Sequence, residues 1–274
     1  MVIKVTYSED AAWVLDTAKE FLAASPIRHN LILTLLNART ERFMPGRYWL
    51  ATDRDTVIGV ALQSPLDFPI TVTPMSVEAV TAVTGAIAEA KVSLPGVNGE
   101  AATAACFAGQ WTEHCGLAAT PCQGQRIYEV TEVEESAVTK HRLRQASAND
   151  YELLLNWVEG FHADINEPRD NLSRVVESRL VAGKFWLLAD SEPVSMASHS
   201  QMIAGVVRMQ MVYTPPSKRN RGYARSCVGS LSRHFIAQGY RCMLYTDLSN
   251  PVSNSIYRRV GYRAVAEGLR YRFD

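Results

Sequence analysis

The order of strand-like and helix-like segments predicts an α/β fold, a central mixed β-sheet flanked by helices, and predicts it twice. Three observations carry this. Apolar runs of strand length alternate with stretches of helical periodicity along the chain. The two halves give nearly the same order of elements when read by the same rules. Short matches recur at equivalent places: "WLATDRDTV" from Trp49 with "WLLADSEPV" from Trp186, and "TPMS" from Thr73 with "TPPS" from Thr214. A chain of 274 residues holds two domains of ordinary size. The expected joint lies near Glu134–Lys140, giving domains 1–136 and 137–274.

In the first half a strand "VIKVTY" precedes helices near 10–23 and 28–42, then the hairpin "YWLATDRDTVIGVAL" and the strand "FPITVTP". A helix near 76–90, a weak strand around Val97, a helix from about Ala101 and a strand "RIYEV" complete it. The second half opens on the strand "HRLRQAS", with Asn149-Asp150 as a helix cap before the amphipathic "YELLLNWVEGFHADI". A helix from about Asp170 to Val181 follows, then a hairpin turning at Ser191-Glu192-Pro193 and the strand "VVRMQMVYT". Pro215 and Pro216 end that strand, because neither can donate to a ladder. From Gly222 to about Gln238, Ala224, Cys227, Val228, Leu231, Phe235 and Ile236 recur at helical spacing, with Gly239 as the stop. The remainder reads as strand "RCMLYTDL", helix "PVSNSIYRRV" stopping at Gly261, and a final hairpin "YRAVAEGLRYRF".

The formal net charge is zero, which argues against a general nucleic-acid or membrane-surface binder. Residues 1–136 hold 9 Lys+Arg against 16 Asp+Glu, and residues 137–274 hold 19 against 12, so the second half is net basic and suits an anionic ligand. Attraction between the two halves explains the asymmetry equally well. Five cysteines without a C-x-x-C spacing or a secretory signal pattern point to reduced thiols and a cytoplasmic protein. Cys106, His114 and Cys115 lack the paired spacing of zinc sites, so small buried hydrophobes are expected there and no metal. No apolar run approaches the roughly twenty residues needed to span a bilayer.

The stretch "VYTPPSKRNRGYARS", Val212 to Ser226, is read either as a solvated loop or as an anion cradle. A helix N-terminus exposes unpaired N–H groups and a partial positive charge. Gly222 lets the backbone approach a ligand without a Cβ in the way, Ala224 keeps the first turn small, and Lys218, Arg219, Arg221 and Arg225 add positive charge. The matching segment of the first half, "MSVEAVTAVTGAIAE" after Pro74, has neither the basic residues nor the Gly at its helix head.

Arg219-x-x-Gly222-x-Ala224 after an apolar strand resembles the Gln/Arg-x-x-Gly-x-Gly/Ala signature of the GNAT (GCN5-related) N-acetyltransferases. A second piece, "NPVSNSIYRRVGYR" from Asn250, resembles that family's Asn-x-x-Ala/Ser-x-x-x-Tyr-x-x-x-Gly-Tyr/Phe segment. The resemblance covers roughly residues 141–274, and the chain is similar to bacterial members with an extra, here degenerate, GNAT-like N-terminal domain. It implies a tandem acyl-CoA N-acyltransferase fold with splayed strands, and acetyl-CoA as cosubstrate. The backbone of Met211, Val212 and Tyr213 would then hold the pantetheine arm and polarise the thioester. Arg219, Asn220, Arg221, Gly222, Tyr223, Ala224 and Arg225 would cradle the pyrophosphate, with Asn250 and Asn254 reaching the cofactor by their side-chain amides. Either Asn also suits a cap or turn before Pro251.

By the same resemblance Tyr257 protonates the leaving thiolate, although a core aromatic on an amphipathic helix is the plainer role. Many members carry a Glu on the strand equivalent to "VVRMQMVYT"; here the polar positions are Arg208 and Gln210, neither a base. Glu159, His162, Asp164, His199 and Asp247 are the other candidates, each more often a surface or capping residue. With no cysteine placed to carry an acyl group, the expected reaction is direct transfer of acetyl to a primary amine on a small molecule or protein. The alternative is a coenzyme A-binding sensor without turnover, favoured by the missing Glu and opposed by the retained Tyr257.

Overall fold

The computed structural model describes residues 3–138, 140–166 and 170–274. In chain order the first elements are β1 (Ile3–Ser8), α1 (Ala11–Thr17), α2 (Lys19–Ala24), α3 (Asn30–Glu41), β2 (Arg47–Asp53), β3 (Thr56–Gln63) and β4 (Ile70–Val72). Then come α4 (Val77–Glu89), β5 (Gly96–Glu100), α5 (Ala101–Cys115) and β6 (Ala119–Val130). The later part holds β7 (Arg142–Gln145), α6 (Tyr151–Asp164), α7 (Leu172–Val181), β8 (Phe185–Ala189), β9 (Pro193–His199) and β10 (Val206–Tyr213). It closes with α8 (Tyr223–Ile236), β11 (Arg241–Asp247), α9 (Pro251–Val260) and β12 (Arg263–Phe273). No helix among the described residues is long and apolar enough to cross a membrane.

The chain folds into two compact units. One comprises Met1–Ile127, Asp247–Ser249 and Ala264–Asp274; the other Tyr128–Thr246 and Asn250–Arg263. In the first, the strand order is β1-β2-β3-β4-β5-β12-β6. In the second it is β6-β11-β10-β9-β8-β7, beginning with the Tyr128–Val130 end of β6. Both follow one plan, an antiparallel meander leading into a parallel pair: β4 beside β5 (Ile70↔Val97) and β10 beside β11 (Val206↔Arg241). A helix crosses over between the parallel strands in each case, α4 in the first and α8 in the second.

The apolar faces explain why the helices pack where they do. Val80, Val83 and Ile87 of α4 recur at helical spacing and bury against Trp49, Ala61, Ile70 and Val97 of the first unit's sheet, with Phe107 and Trp111 of α5. In the second unit Cys227, Val228, Leu231 and Phe235 of α8 cover one face with Val207, Met209, Cys242 and Leu244. Leu154, Trp157 and Val158 of α6 and Leu172 and Val176 of α7 cover the other with Phe185, Leu187, Met196 and Tyr213.

The elements expected from the sequence occur in the expected order, with one correction. "YRAVAEGLRYRF" is not a hairpin but a single strand of 11 residues. Gly268 suited a turn, yet it stands mid-strand opposite Glu100, because β5 offers an antiparallel partner all the way to Arg272↔Gly96. From Ala264 onward β12 belongs to the first unit, where Arg126 of β6 pairs with Glu267 at 2.6 Å.

Two features generate predictions. A Cβ on Gly96 would stand 2.2 Å from the Tyr271 carbonyl oxygen of β12. Gly96→Ala is expected to cost about 2–4 kcal/mol in urea unfolding, whereas Gly109→Ala on α5, whose Cβ meets nothing within 4 Å, leaves stability level or slightly raised. The start of α6 is set by Ser147 and Asp150, whose carboxylate accepts from the Ser147 amide (2.7 Å) and from both Arg144 Nη atoms (2.8 and 2.7 Å). Those Arg144 hydrogen bonds, above all, hold the Asp150 carboxyl down at about 2. A depressed folded-state pKa stabilises fully above the unfolded value and loses that contribution as pH falls through about 2. Asp150→Asn should therefore destabilise by about 2–3 kcal/mol at pH 7, with the difference from the parent shrinking toward pH 2 in pH-resolved melts.

Candidate functional site

The site begins where two parallel strands part. β10 and β11 pair only over Val206↔Arg241, Val207↔Cys242 and Arg208↔Met243, although both run on for several residues. On its other edge β10 pairs with β9 at Met209↔His199 and Gln210↔Ser198, then slips to Tyr213↔Met196. The slip is a β-bulge with Met211 in the left-handed region, φ 47°. A bulge reverses the alternation of side chains. Val207 and Met209 face α8, whereas Met211 and Tyr213 face α6. Tyr213 lies 6.4 Å from Trp157 between ring centroids, and its hydroxyl fills the place of a Cβ on Gly160.

The loop after β10 is tied to that ring. Arg219 Nε donates to the Thr214 carbonyl at 2.9 Å, Nη2 donates to Asp164 at 2.5 Å, and its guanidinium lies 5.7 Å from the Tyr213 centroid. Asn220 (φ 62°) and Gly222 (φ 79°) both adopt the left-handed conformation, delivering Gly222 as the N-cap of α8 with no side chain capping the helix. A Cβ on Gly222 would meet no atom within 4 Å. The first-turn amides of α8 thus face open space, carrying the positive end of the helix dipole. At the equivalent place in the first unit, Ser76 caps α4 by accepting from the Ala79 amide at 3.3 Å.

A cleft of about 1110 Å³ collects these parts. Its lining includes Val212, Tyr213, Arg219, Asn220, Gly222, Tyr223, Ala224, Arg225, Asn250 and Tyr257 from the sequence reading, with Asp164, Thr214 and Ser253 besides. Arg225 donates from Nη2 to the Ser136 carbonyl at 2.9 Å, while its buried Nε has no partner. Tyr223 points its hydroxyl at Asp190, 3.3 Å away. Asn250 caps α9, its Oδ1 accepting from the Ser253 amide at 3.0 Å.

Met211, Arg221 and Asn254 lie outside the lining. The bulge turns Met211 onto the α6 side, and Arg221 is exposed on the loop. Asn254 is 5% exposed: its Nδ2 donates to the Asn250 carbonyl at 2.7 Å, and its Oδ1 accepts from the Tyr128 hydroxyl at 3.1 Å.

Tyr257 packs its ring between Tyr128 (6.4 Å) and Tyr262 (6.0 Å) and faces the cleft. Burial pushes its phenol up to about 12, so it keeps its proton at any physiological pH. Of the five candidate bases, Asp164 alone lines the cleft, and it is paired with Arg219. His199 is a core residue, edge-on to Phe235 at 4.7 Å with Nδ1 2.7 Å from the Ser200 carbonyl, and burial lowers its pKa. Asp247 accepts from the Ser249 amide and hydroxyl at 2.7 and 2.5 Å. Glu159 is exposed on α6, and the His162 ring packs edge-on against Phe161. Cys227 and Cys242 are buried thiols pushed up to about 12 by desolvation.

Known proteins share the fold. An acetyltransferase of the GNAT family from Colwellia psychrerythraea shares 12% identity over 100% of both chains at a TM-score of 0.64. A GCN5-related N-acetyltransferase from Sphaerobacter thermophilus shares 14%, covering 98% of this chain and 95% of its own, at 0.61. A tandem GNAT protein from the clavulanic acid biosynthesis pathway shares 9% over 98% of both chains at 0.55. The fold is therefore that of the GCN5-related N-acetyltransferases in tandem form. Within it, residues 191–271 match the FR47-like protein family model. No curated protein matches the sequence.

The Asn254 contacts generate a prediction. Asn254→Leu leaves the Tyr128 hydroxyl and the Asn250 carbonyl without these partners, and should destabilise by about 1–3 kcal/mol in thermal melts.

Proposed function

We propose that the chain is an acyl-CoA-dependent N-acyltransferase, moving the acetyl group of acetyl-CoA to a primary amine by direct attack in a ternary complex. The observation that carries the reading is the uncapped start of α8. Its amides, from Gly222 to Arg225, open onto a cleft that also contains the end of a splayed strand and a protonated phenol.

The residues fit the cosubstrate. Gly222 leaves room against the helix amides, where a pyrophosphate finds both donors and a favourable dipole. Arg219 supports that role indirectly, since its bonds to Asp164 and Thr214 hold the loop that presents the amides. Backbone groups of Met211, Val212 and Tyr213, released from β11, are available to the pantetheine amides and to the thioester oxygen. Asn250 contributes from the head of α9. Acetyl-CoA supplies an activated acyl group and a sulfur leaving group. Tyr257, held neutral by burial, donates a hydrogen bond to that sulfur as charge develops on it. With Asp164 engaged by Arg219, the amine enters in its neutral form, so the rate should climb with pH as the free-amine fraction grows.

A second reading, an acyl-CoA-binding module without turnover, is favoured by one observation: the polar residue on β10 near the fork is the amide Gln210. Thiol release from acetyl-CoA with a broad panel of amines separates the two. Transfer is expected, with Tyr257→Phe lowering kcat about 10- to 100-fold while coenzyme A affinity by calorimetry stays within twofold. An unchanged kcat would remove Tyr257 from the chemistry; coenzyme A binding without transfer would favour the module; no binding would end both readings.

A further inference from the structure

The fork of β10 and β11 contains two guanidinium groups without a counter-charge. Arg208 is the last β10 residue paired with β11 and Gln210 stands two positions on, so alternation puts both side chains on the face opposite α8. The Arg208 guanidinium lies over the Tyr245 ring, 5.3 Å from the centroid, and its Nε is buried with no partner. From α7, Arg179 brings Nη1 to Gln210 Oε1 and Ser198 Oγ, each at 3.0 Å. Among the described residues neither arginine has a carboxylate partner; Arg179 meets the Gln210 amide and the Ser198 hydroxyl, and Arg208 meets Tyr245 through its ring and a side-chain hydrogen bond. Burial lowers both pKa values, and Arg208 adds its own repulsion to that of Arg179.

Such a cluster costs the fold. A buried charge without a counter-ion is expensive, and two like charges side by side compound the cost. A Glu at position 210 would neutralise Arg179 through the contact that Gln210 now makes; the amide keeps the hydrogen bond and leaves the charge uncompensated. A site that keeps uncompensated positive charge is complementary to an anion that arrives from outside. Planar guanidinium groups match the paired oxygens of a carboxylate or a phosphate, and with the cosubstrate's phosphates assigned to the head of α8, a carboxylate is the anion left for the fork.

We propose that Arg208 and Arg179 form a carboxylate-binding site at the fork, which selects a reactant carrying a carboxylate. The proposal rests on the acyltransferase reading, because the fork is where acyl group and amine would meet. The carboxylate belongs either to the acceptor, an amino acid or a peptide terminus, or to the acyl chain, a dicarboxylic thioester.

The test has two kinetic arms and one that needs no turnover. With saturating acetyl-CoA, amino acids are compared with their C-terminal amides; with a fixed neutral amine, succinyl-CoA is compared with acetyl-CoA. In one arm the carboxylate-bearing reactant should have the higher kcat/KM, about 10- to 100-fold, and Arg208→Gln should abolish that preference while sparing the amide or acetyl partner. The arm that responds identifies the source. Equal kcat/KM in both arms, or a preference that survives Arg208→Gln and Arg179→Gln, overturns the proposal. In the third arm, with coenzyme A saturating, glycine and succinate should raise the Tm saturably in the parent and not in Arg208→Gln; no shift in the parent counts against the site. If no amine is acetylated yet this shift occurs, the acyltransferase reading fails and the carboxylate site stands. Without ligand, Arg208→Met should melt at or above the parent temperature, because it removes a half-buried charge that has no carboxylate partner. A lower Tm would mark Arg208 as structural.

Discussion

The parting of β10 from β11 after Arg208↔Met243 is the constraint on which the cleft depends. Parallel strands held in register would leave no gap and no free backbone. The bulge at Met211 makes the separation definite, turning Tyr213 toward α6 where Trp157 and Gly160 receive it. Once Tyr213 is fixed, the Arg219 guanidinium has a ring to cover and the Thr214 carbonyl to bond, and the loop that ends in Gly222 is set. The chain of dependence runs from a backbone irregularity to the place where α8 begins.

The two units show what that arrangement costs. Each has a helix entering between parallel strands, but α4 is capped by its own Ser76 and α8 begins on a left-handed Gly222 without a cap. A side-chain cap contributes about 0.5–2 kcal/mol. The first unit takes that stabilisation, and the second keeps its amides for something else. Arg208 and Arg179 follow the same pattern, since apolar residues in their place would pack at lower cost. Departures from best local packing gather in the unit that carries the cleft, where function explains them better than folding does.

Much of this was legible in the amino-acid order. Periodicity marked the helices, Pro215 and Gly222 marked the end of one element and the start of the next, and comparison with "TPMS" singled out the cradle. What stayed hidden depends on partners distant in sequence. Nothing in "RMQMVY" announces a bulge, because Met211 has no local preference for a positive φ. The burial of Asn254 follows from Tyr128, 126 positions earlier. Nothing in the sequence singles out Arg179; only the packing of α7 brings it to Gln210. A strand's partner is likewise set by the sheet edge available to it, and for that reason "YRAVAEGLRYRF" folds against β5 rather than back on itself.

That last pairing has a consequence for biogenesis. β12 is made after every element of the second unit, yet it occupies the position between β5 and β6 in the first. Domains generally fold as units while the chain is still being synthesised, the N-terminal one first. Here the earlier unit cannot close its sheet until the ribosome has delivered the later one, and β5 and β6 wait with unpaired edges in the meantime. Such edges invite association with other chains. The N-terminal half is therefore the last to be finished, and its exposure during translation lasts as long as synthesis of the half that carries the cleft.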